Sequence, residues 1–474
     1  MQKKITVIGA GPGGYVAAIR AAQSGAEVTV IEQDNVGGTC LNRGCIPSKI
    51  MKTTADMLNN FKRSGEFGVI ADEAALDMER LMARKQEVIQ NHIKGILGLF
   101  KNNKIRHLKG HGQIKGPNLA VVKDEHGNTE DIQWDSLILA LGSQPLIIPS
   151  FPFDGKKILS SNDALELREI PKSMLIVGGG VIGCEFAFIF ASFGAEVTVV
   201  EALQRLLPLP SVDEDCSKTI QREMKKRGIK FMVDRSVERV EEKGENLCVT
   251  IGDSPFSQKK KNLQPVEIEV EKVLVCIGRK PDTADAGIEN LGIRTDDKGW
   301  ILSDERMETN VPGVFAIGDV LGPSKIMLAH VASHEGIVAA ENAADGNRVM
   351  DYNAVPGAVF TMPEVSNVGL TEAQAKEQGY NVQSATVFFR ALGKAHVIGE
   401  IAGQAKIVSD AENGRVLGVH IVGPHAADLI AEGTLAVQTG CTVKDLAETI
   451  HAHPTLPEIM MEVSFKSMGK GLHG

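Results

Sequence analysis

Two cysteines, Cys40 and Cys45, stand in the run Gly37-Gly-Thr-Cys-Leu-Asn-Arg-Gly-Cys-Ile-Pro-Ser-Lys49. They follow a glycine-rich nucleotide-binding pattern that ends near Glu32. A thiol pair beside a nucleotide points to electron transfer between a cofactor and a disulfide. On a regular helix, residues five apart have Cα atoms about 8–9 Å apart, farther than the roughly 4.4–6.8 Å that a disulfide spans. If these two bond, the chain between them must be irregular, which Gly44 and Pro47 permit. Pro47 also suits the first turn of a following helix, whose N-terminus favours a thiolate. The other readings are two unrelated buried thiols or half of a metal site. No second Cys/His cluster with zinc spacing supports a metal, so no metal ligands are assigned.

Two further groups have the chemistry to serve such a pair. Lys49 lies one helical turn past Cys45 and brings a cation near the pair. The run His451-Ala-His-Pro-Thr-Leu-Pro-Glu458 supplies imidazoles and a carboxylate. Thiol attack needs a proton removed near neutral pH, the task histidine suits. A carboxylate against the ring fixes its tautomer.

The elements that must position these groups are organised by one repeat. Ile5 to Glu32 reads as strand, Gly-Ala-Gly-Pro-Gly-Gly, helix, strand, acid. Met174 to Glu201 reads the same way with Gly-Gly-Gly-Val-Ile-Gly, at a constant offset of 169 residues. Gly9, Gly11, Gly14 and Glu32 thus correspond to Gly178, Gly180, Gly183 and Glu201. Each glycine set follows an apolar strand, opens a helix and has an acid 18 residues beyond its last glycine. Two units imply two dinucleotides, each with pyrophosphate at a helix N-terminus and ribose on the acid. The pattern alone leaves open which unit holds which nucleotide. A carboxylate at Glu201 accepts ribose hydroxyls and repels a 2′-phosphate, favouring NAD over NADP. Residues 51–64 and 77–100 have helical periodicity, and 105–140 alternates as strands. Residues 252–265 read as an exposed polar hairpin loop holding Lys259-Lys260-Lys261. Near residue 347 the doubly wound pattern stops, and strands and turns alternate with helices such as 371–378 and 426–439.

At 474 residues the chain is too long for one ordinary core. A net charge of −9 argues against nucleic acid as a partner. Of seven cysteines only the 40/45 pair is close, which fits a reducing, cytoplasmic setting. No signal peptide is expected before the first strand, and no apolar run is long enough for a membrane span.

The cysteine run resembles the redox motif of the pyridine nucleotide-disulfide oxidoreductases, and the resemblance extends to the C-terminal tail. It implies an α/β fold of two Rossmann-like dinucleotide-binding domains plus a C-terminal α+β dimerisation domain. The expected limits are 1–148 for the FAD-binding domain and 149–277 for the NAD-binding domain. Residues 278–346 would complete the FAD domain, and 347–474 would form the interface. By resemblance the first unit takes FAD and the second, with Val181, Gly278 and Arg279, takes NAD. Val314-Phe-Ala-Ile-Gly-Asp319 matches the family's second FAD motif and would set Asp319 on the ribityl hydroxyls. Gly142 lies in Ala140-Leu141-Gly142, where the family usually has Ala-Thr-Gly, so a hydroxyl is missing here. Lys49 would reach the flavin and pair with Glu185. The family's His-Pro-Thr-x-x-Glu puts the acid/base dyad on His453 and Glu458, acting across a homodimer. Cys40 is expected to be the more exposed cysteine and the one attacked, with Cys45 beside the flavin. The implied activity is oxidation of a protein-bound dihydrolipoyl dithiol by NAD, the lipoyl-bearing acyltransferase or carrier protein coming in trans. The alternatives are another disulfide or metal-ion reductase, or a non-catalytic complex subunit.

Overall fold

The computed structural model describes residues 2–70, 72–257 and 264–473. The Lys259-Lys260-Lys261 loop lies outside them.

The first unit begins with β1 (Lys4–Ile8), α1 (Pro12–Gln23) and β2 (Glu27–Glu32). Helices α2 (Gly38–Arg43), α3 (Cys45–Lys62) and α4 (Met78–Asn102) follow. Then come β3 (Arg106–Lys109), the antiparallel sheet β4 (His111–Gly116), β5 (Leu119–Lys123) and β6 (Thr129–Gln133), and β7 (Ser136–Leu139). A short β8 (Ser143–Pro145) leads out toward β9 (Ile158–Leu159) and α5 (Ser161–Ala164).

The second unit is built from β10 (Ser173–Val177), α6 (Val181–Phe193), β11 (Glu196–Glu201), α7 (Glu214–Lys226) and β12 (Lys230–Val233). An antiparallel sheet, β13 (Arg235–Lys243), β14 (Asn246–Asp253) and β15 (Val266–Val270), precedes β16 (Lys272–Val275) and β17 (Arg279–Pro281). The chain then returns: β18 (Val314–Ala316) pairs with β7 and α8 (Ala329–Ala343) packs on α1. The two main sheets are five-stranded and parallel, in the orders β18-β7-β1-β2-β3 and β12-β11-β10-β16-β9. Their central strands are covered on both faces, so they read as unbroken apolar runs. Leu137-Ile-Leu139 and Met174-Leu-Ile176 are fully buried.

The last part carries β19 (Gly357–Val359), β20 (Glu364–Gly369), α9 (Glu372–Glu377), β21 (Val382–Phe388) and α10 (Gly393–Val397). It ends with β22 (Gln404–Asp410), β23 (Val416–Gly423), α11 (Ala426–Thr439), α12 (Val443–Glu448) and α13 (Glu458–Ser467). Its sheet is antiparallel, β19-β20-β23-β22-β21, with α11 and α13 against it. Among the described residues no helix is long and apolar enough to cross a membrane. The architecture is the α/β pair of doubly wound units with an α+β domain.

The repeat in sequence is a repeat in space. A Cβ built on Gly14 would fall 1.9 Å from the Gly9 carbonyl oxygen, and one on Gly183 falls 1.9 Å from that of Gly178. Each last glycine therefore lets its helix pack directly on its own glycine-rich turn. We predict that Gly183→Ala destabilises the protein by about 1–3 kcal/mol, as forced overpacking does. It should also weaken NAD binding while leaving the first unit's cofactor in place. Denaturant unfolding and an NAD titration check this, and an unchanged NAD affinity would count against it.

Candidate active site

The site depends on a break in a helix. α2 ends at Arg43, and α3 starts at Cys45. Gly44 joins them with no room for a side chain: a Cβ there would lie 2.9 Å from the Thr39 carbonyl oxygen and 3.3 Å from the Cys40 Cα. The chain folds back on itself, and the two sulfurs are hydrogen-bonded to each other. That bond is the largest influence on both groups. It holds the Cys45 thiol down to about 7, and the positive charge of Lys49 adds to this. Cys40 is pushed far up by the same bond, by burial and by the charge of Cys45, so Cys40 keeps the shared proton.

Cys45 is exposed and Cys40 is half-buried. Cys40 sits inside α2 near Tyr15 of α1, whereas Cys45 is the first residue of α3 and lies within electrostatic reach of Arg279.

Lys49 meets Glu185 at 2.7 Å, joining α3 to α6. Glu185 is 6% exposed in an otherwise apolar helix, so it needs a partner. Val181 opens that helix half-buried and packs against the second unit's core.

Asp319 follows β18 at the C-terminal edge of the first sheet. The Ser143 hydroxyl donates to its Oδ2 at 2.7 Å and accepts from Arg279 Nε at 2.6 Å. Arg279 Nη2 also donates to the Ser143 carbonyl at 2.5 Å. Arg279 is thus held beside Asp319. Gly142 and Gly278 sit at matching ends of β7 and β16, next to the β8–β17 pair. Leu141 packs half-buried against the first core.

Glu32 and Glu201 are both buried and do the same work. Glu32 accepts from the Ala10 and Asp34 amides at 2.7 and 2.8 Å, and Glu201 from the Gly179 and Leu203 amides at 2.6 and 2.7 Å. Burial pushes Glu32 upward against those bonds. Each carboxylate oxygen still has a lone pair for a ribose hydroxyl.

The residues present fit two dinucleotides. Gly11 and Gly180 cap α1 and α6 with no side-chain hydrogen bond and no acid in the first turn. A Cβ on Gly180 would meet nothing within 4 Å, and one on Gly11 only Gly38 Cα at 3.9 Å. The chain's own packing does not require glycine at either place, but close approach of a phosphate does.

His453 Nδ1 lies 2.9 Å from Glu458 Oε1 and the ring is mostly exposed. Because the carboxylate only accepts, Nδ1 carries the proton and Nε2 is left free. Glu458 is partly buried, which raises it, but hydrogen bonds from His453 and the Thr455 amide outweigh that and hold it low. His451 has both ring nitrogens engaged, with the Thr449 carbonyl at 2.9 Å and Glu432 at 3.0 Å, and is buried. The dyad sits at α13, which packs on α12, β21 and β22, while α2 packs on α3 and α4. Among the described residues no hydrogen bond or ion pair links His453 or Glu458 to α2 or α3.

Sequence reasoning missed Ser143, Glu335 and Phe360. Glu335 is 1% exposed on α8, accepts from the Gly318 amide and the Tyr352 hydroxyl at 2.7 Å each, and so braces the Asp319 turn. Burial raises it, against those bonds. Its signal was an acid on an apolar helix face among Val331, Ala332 and Val338.

A dithiol at a helix start, two dinucleotide turns and a histidine–carboxylate dyad define a nucleotide-dependent disulfide oxidoreductase. The chain belongs to the pyridine nucleotide-disulphide oxidoreductase family: residues 3–336 match that family, and 355–464 match its dimerisation domain. It is a flavoprotein enzyme that works with FAD and NAD. It is 42% identical to the dihydrolipoyl dehydrogenase of Chlamydia muridarum over 469 residues, covering 98% of this chain and 97% of the relative. It is 39% identical over 469 residues to one from Bacillus subtilis, at 98% and 97% coverage. The crystal structure of LpdA from Mycobacterium tuberculosis superposes with a TM-score of 0.90 at 26% identity, covering 98% of this chain and 99% of that one.

We predict that the long-wavelength thiolate absorption of the two-electron-reduced enzyme grows as pH rises through about 7 and is lost below it, following Cys45. Cys45→Ser should abolish it. Cys40→Ser should keep it and stop turnover. Full dithiol activity in Cys40→Ser would refute the division of roles.

Proposed function

We propose that this chain is a homodimeric dihydrolipoyl dehydrogenase that oxidises a protein-bound dihydrolipoyl dithiol with NAD. The observation that carries the reading is the thiol pair folded over Gly44, with Cys45 favoured as thiolate and Lys49 beside it, in a chain about 40% identical over its length to dihydrolipoyl dehydrogenases.

His453 Nε2 takes a proton from one substrate thiol, and Glu458 steadies the imidazolium through Nδ1. The substrate thiolate attacks Cys40 of the oxidised pair. A substrate–Cys40 bond forms, the Cys40–Cys45 bond breaks, and the electron pair stays on Cys45 as thiolate. The second substrate thiol then displaces Cys40, its proton passing to the Cys40 sulfur, which leaves an oxidised substrate, a Cys40 thiol, a Cys45 thiolate and a protonated His453. Lys49 holds the charge on Cys45. Gly9, Gly11, Gly14, Glu32, Gly142 and Asp319 would hold FAD, and Gly178, Gly180, Gly183, Glu201, Val181 and Gly278 would hold NAD, with Arg279 between them. When bound, FAD accepts the electrons and NAD takes them away as hydride.

We take 1–148 with 278–346 as the FAD domain, 149–277 as the NAD domain and 347–474 as the interface domain. The match of 355–464 to a dimerisation domain, with the dyad and the thiols on separate packing units, supports delivery of His453 to the other subunit's Cys40. The unpaired cysteines suit a reducing, cytoplasmic setting.

The direct test compares NAD reduction with dihydrolipoamide and a dihydrolipoyl carrier protein against other dithiols. Equal turnover of unrelated dithiols would sink the reading. Mixing His453→Gln with Cys40→Ser/Cys45→Ser subunits should restore activity, since one site in each heterodimer is complete. Inactive mixtures, with exchange verified, would place the histidine in its own chain's site. Glu201→Gln should reduce the preference for NAD over NADP by about an order of magnitude, the worth of one charged hydrogen bond; unchanged preference in paired kinetics would move discrimination elsewhere.

A further inference from the structure

Glu185 divides its carboxylate. Oε2 accepts from Lys49 Nζ at 2.7 Å, and Oε1 accepts from the Phe360 amide at 2.9 Å. The Lys49 ammonium also stands 4.4 Å from the centroid of the Phe360 ring. Phe360 belongs to neither nucleotide unit. It follows β19, inside the stretch that matches the dimerisation domain. The same edge is fastened to α3 twice more, by Lys52 to Glu364 at 3.5 Å and Asn59 to the Met362 sulfur at 3.1 Å.

A carboxylate alone would pull the ammonium toward itself and cancel its charge. A ring face attracts a cation without adding a negative charge, and more strongly where water is scarce. Among the described residues the ammonium's one other hydrogen bond is to the Ser48 hydroxyl, at 3.4 Å. The charged or titrating groups facing Cys45 are Cys40 from α2, Lys49 on its own helix, Glu185 from α6 and Arg279 from β17. Of these, Lys49 and Glu185 are the two that Phe360 of the third domain touches, Glu185 through its amide and Lys49 through its ring.

We propose that Phe360 is a positioning residue of the redox centre: its ring keeps the Lys49 ammonium beside Cys45, so the dimerisation domain of the same chain governs how readily Cys45 carries negative charge. The proposal rests on the redox reading of Cys40 and Cys45 and extends it to a third domain in cis.

The test is a pH titration of the long-wavelength thiolate absorption of the reduced holoenzyme, with pH-dependent alkylation of the reduced pair as a second readout. Phe360→Leu keeps apolar bulk and removes the aromatic face. Its midpoint should rise by about 0.5 pH unit, the scale of a partly exposed cation–π contact. Phe360→Tyr should stay at the wild-type midpoint. A wild-type midpoint in Phe360→Leu, with flavin retained, overturns the proposal. An equal rise in Phe360→Leu and Phe360→Tyr also overturns it, since packing alone would then explain the shift. If wild-type enzyme shows no thiolate absorption at any pH, the redox reading itself fails, which the Phe360 variants do not decide. Neither readout requires turnover.

Discussion

The constraint on which the rest depends is the reversal at Gly44. Cysteines five apart on one unbroken helix could not meet. Two helices joined by a residue without a Cβ allow it, because the Thr39 carbonyl and the Cys40 Cα occupy the space a side chain would need. The same break puts Cys45 at the start of an 18-residue helix, where amide dipoles favour a negative sulfur. Geometry and acidity thus come from one feature. The hydrogen bond between the sulfurs then separates their roles: one keeps the proton and the other holds charge.

The charge on Cys45 needs a counter-charge that stays in place. Lys49 supplies it, but a half-buried lysine on a flexible stem is weakly fixed unless its partner is itself held. Glu185 changes this, because it is buried and held from two sides. Such a pair does little for stability compared with an apolar packing of the same volume. What it supplies is location. It ties α3, which carries the redox cysteine, to α6, whose N-terminus faces the second dinucleotide site. Electron acceptor and thiol are thus referred to one scaffold.

The two nucleotide units show how strongly close packing limits the chemistry around a phosphate. In both, the last glycine is set by the chain's own turn, while the middle glycine is set by space left open for a ligand. The acids at the strand ends are spent partly on the fold, through two amide bonds each. A change at Glu32 or Glu201 therefore disturbs the turn as well as the ribose, which is why a glutamine, able to keep one acceptor, is the informative substitution.

Much of this was legible in the linear chain. The apolar strands, the glycine spacing and the acids at a constant offset of 169 residues specify two doubly wound units, because parallel strands and phosphate turns obey short-range rules. The 40/45 spacing implied a broken helix, and the resemblance paired Lys49 with Glu185. What the linear chain did not decide is what depends on contacts between distant segments. The motif put the base on His453, but that His451 is engaged by Glu432 and the Thr449 carbonyl emerges only in the fold. Arg279 carries no local sign of its contacts with Ser143 and Asp319, which arise because β17 pairs with β8. Phe360 carries no local signature, since its role comes from an amide and a ring face meeting elements far off in sequence. Local pattern determined which elements form; long-range packing decided which side chains they bring together.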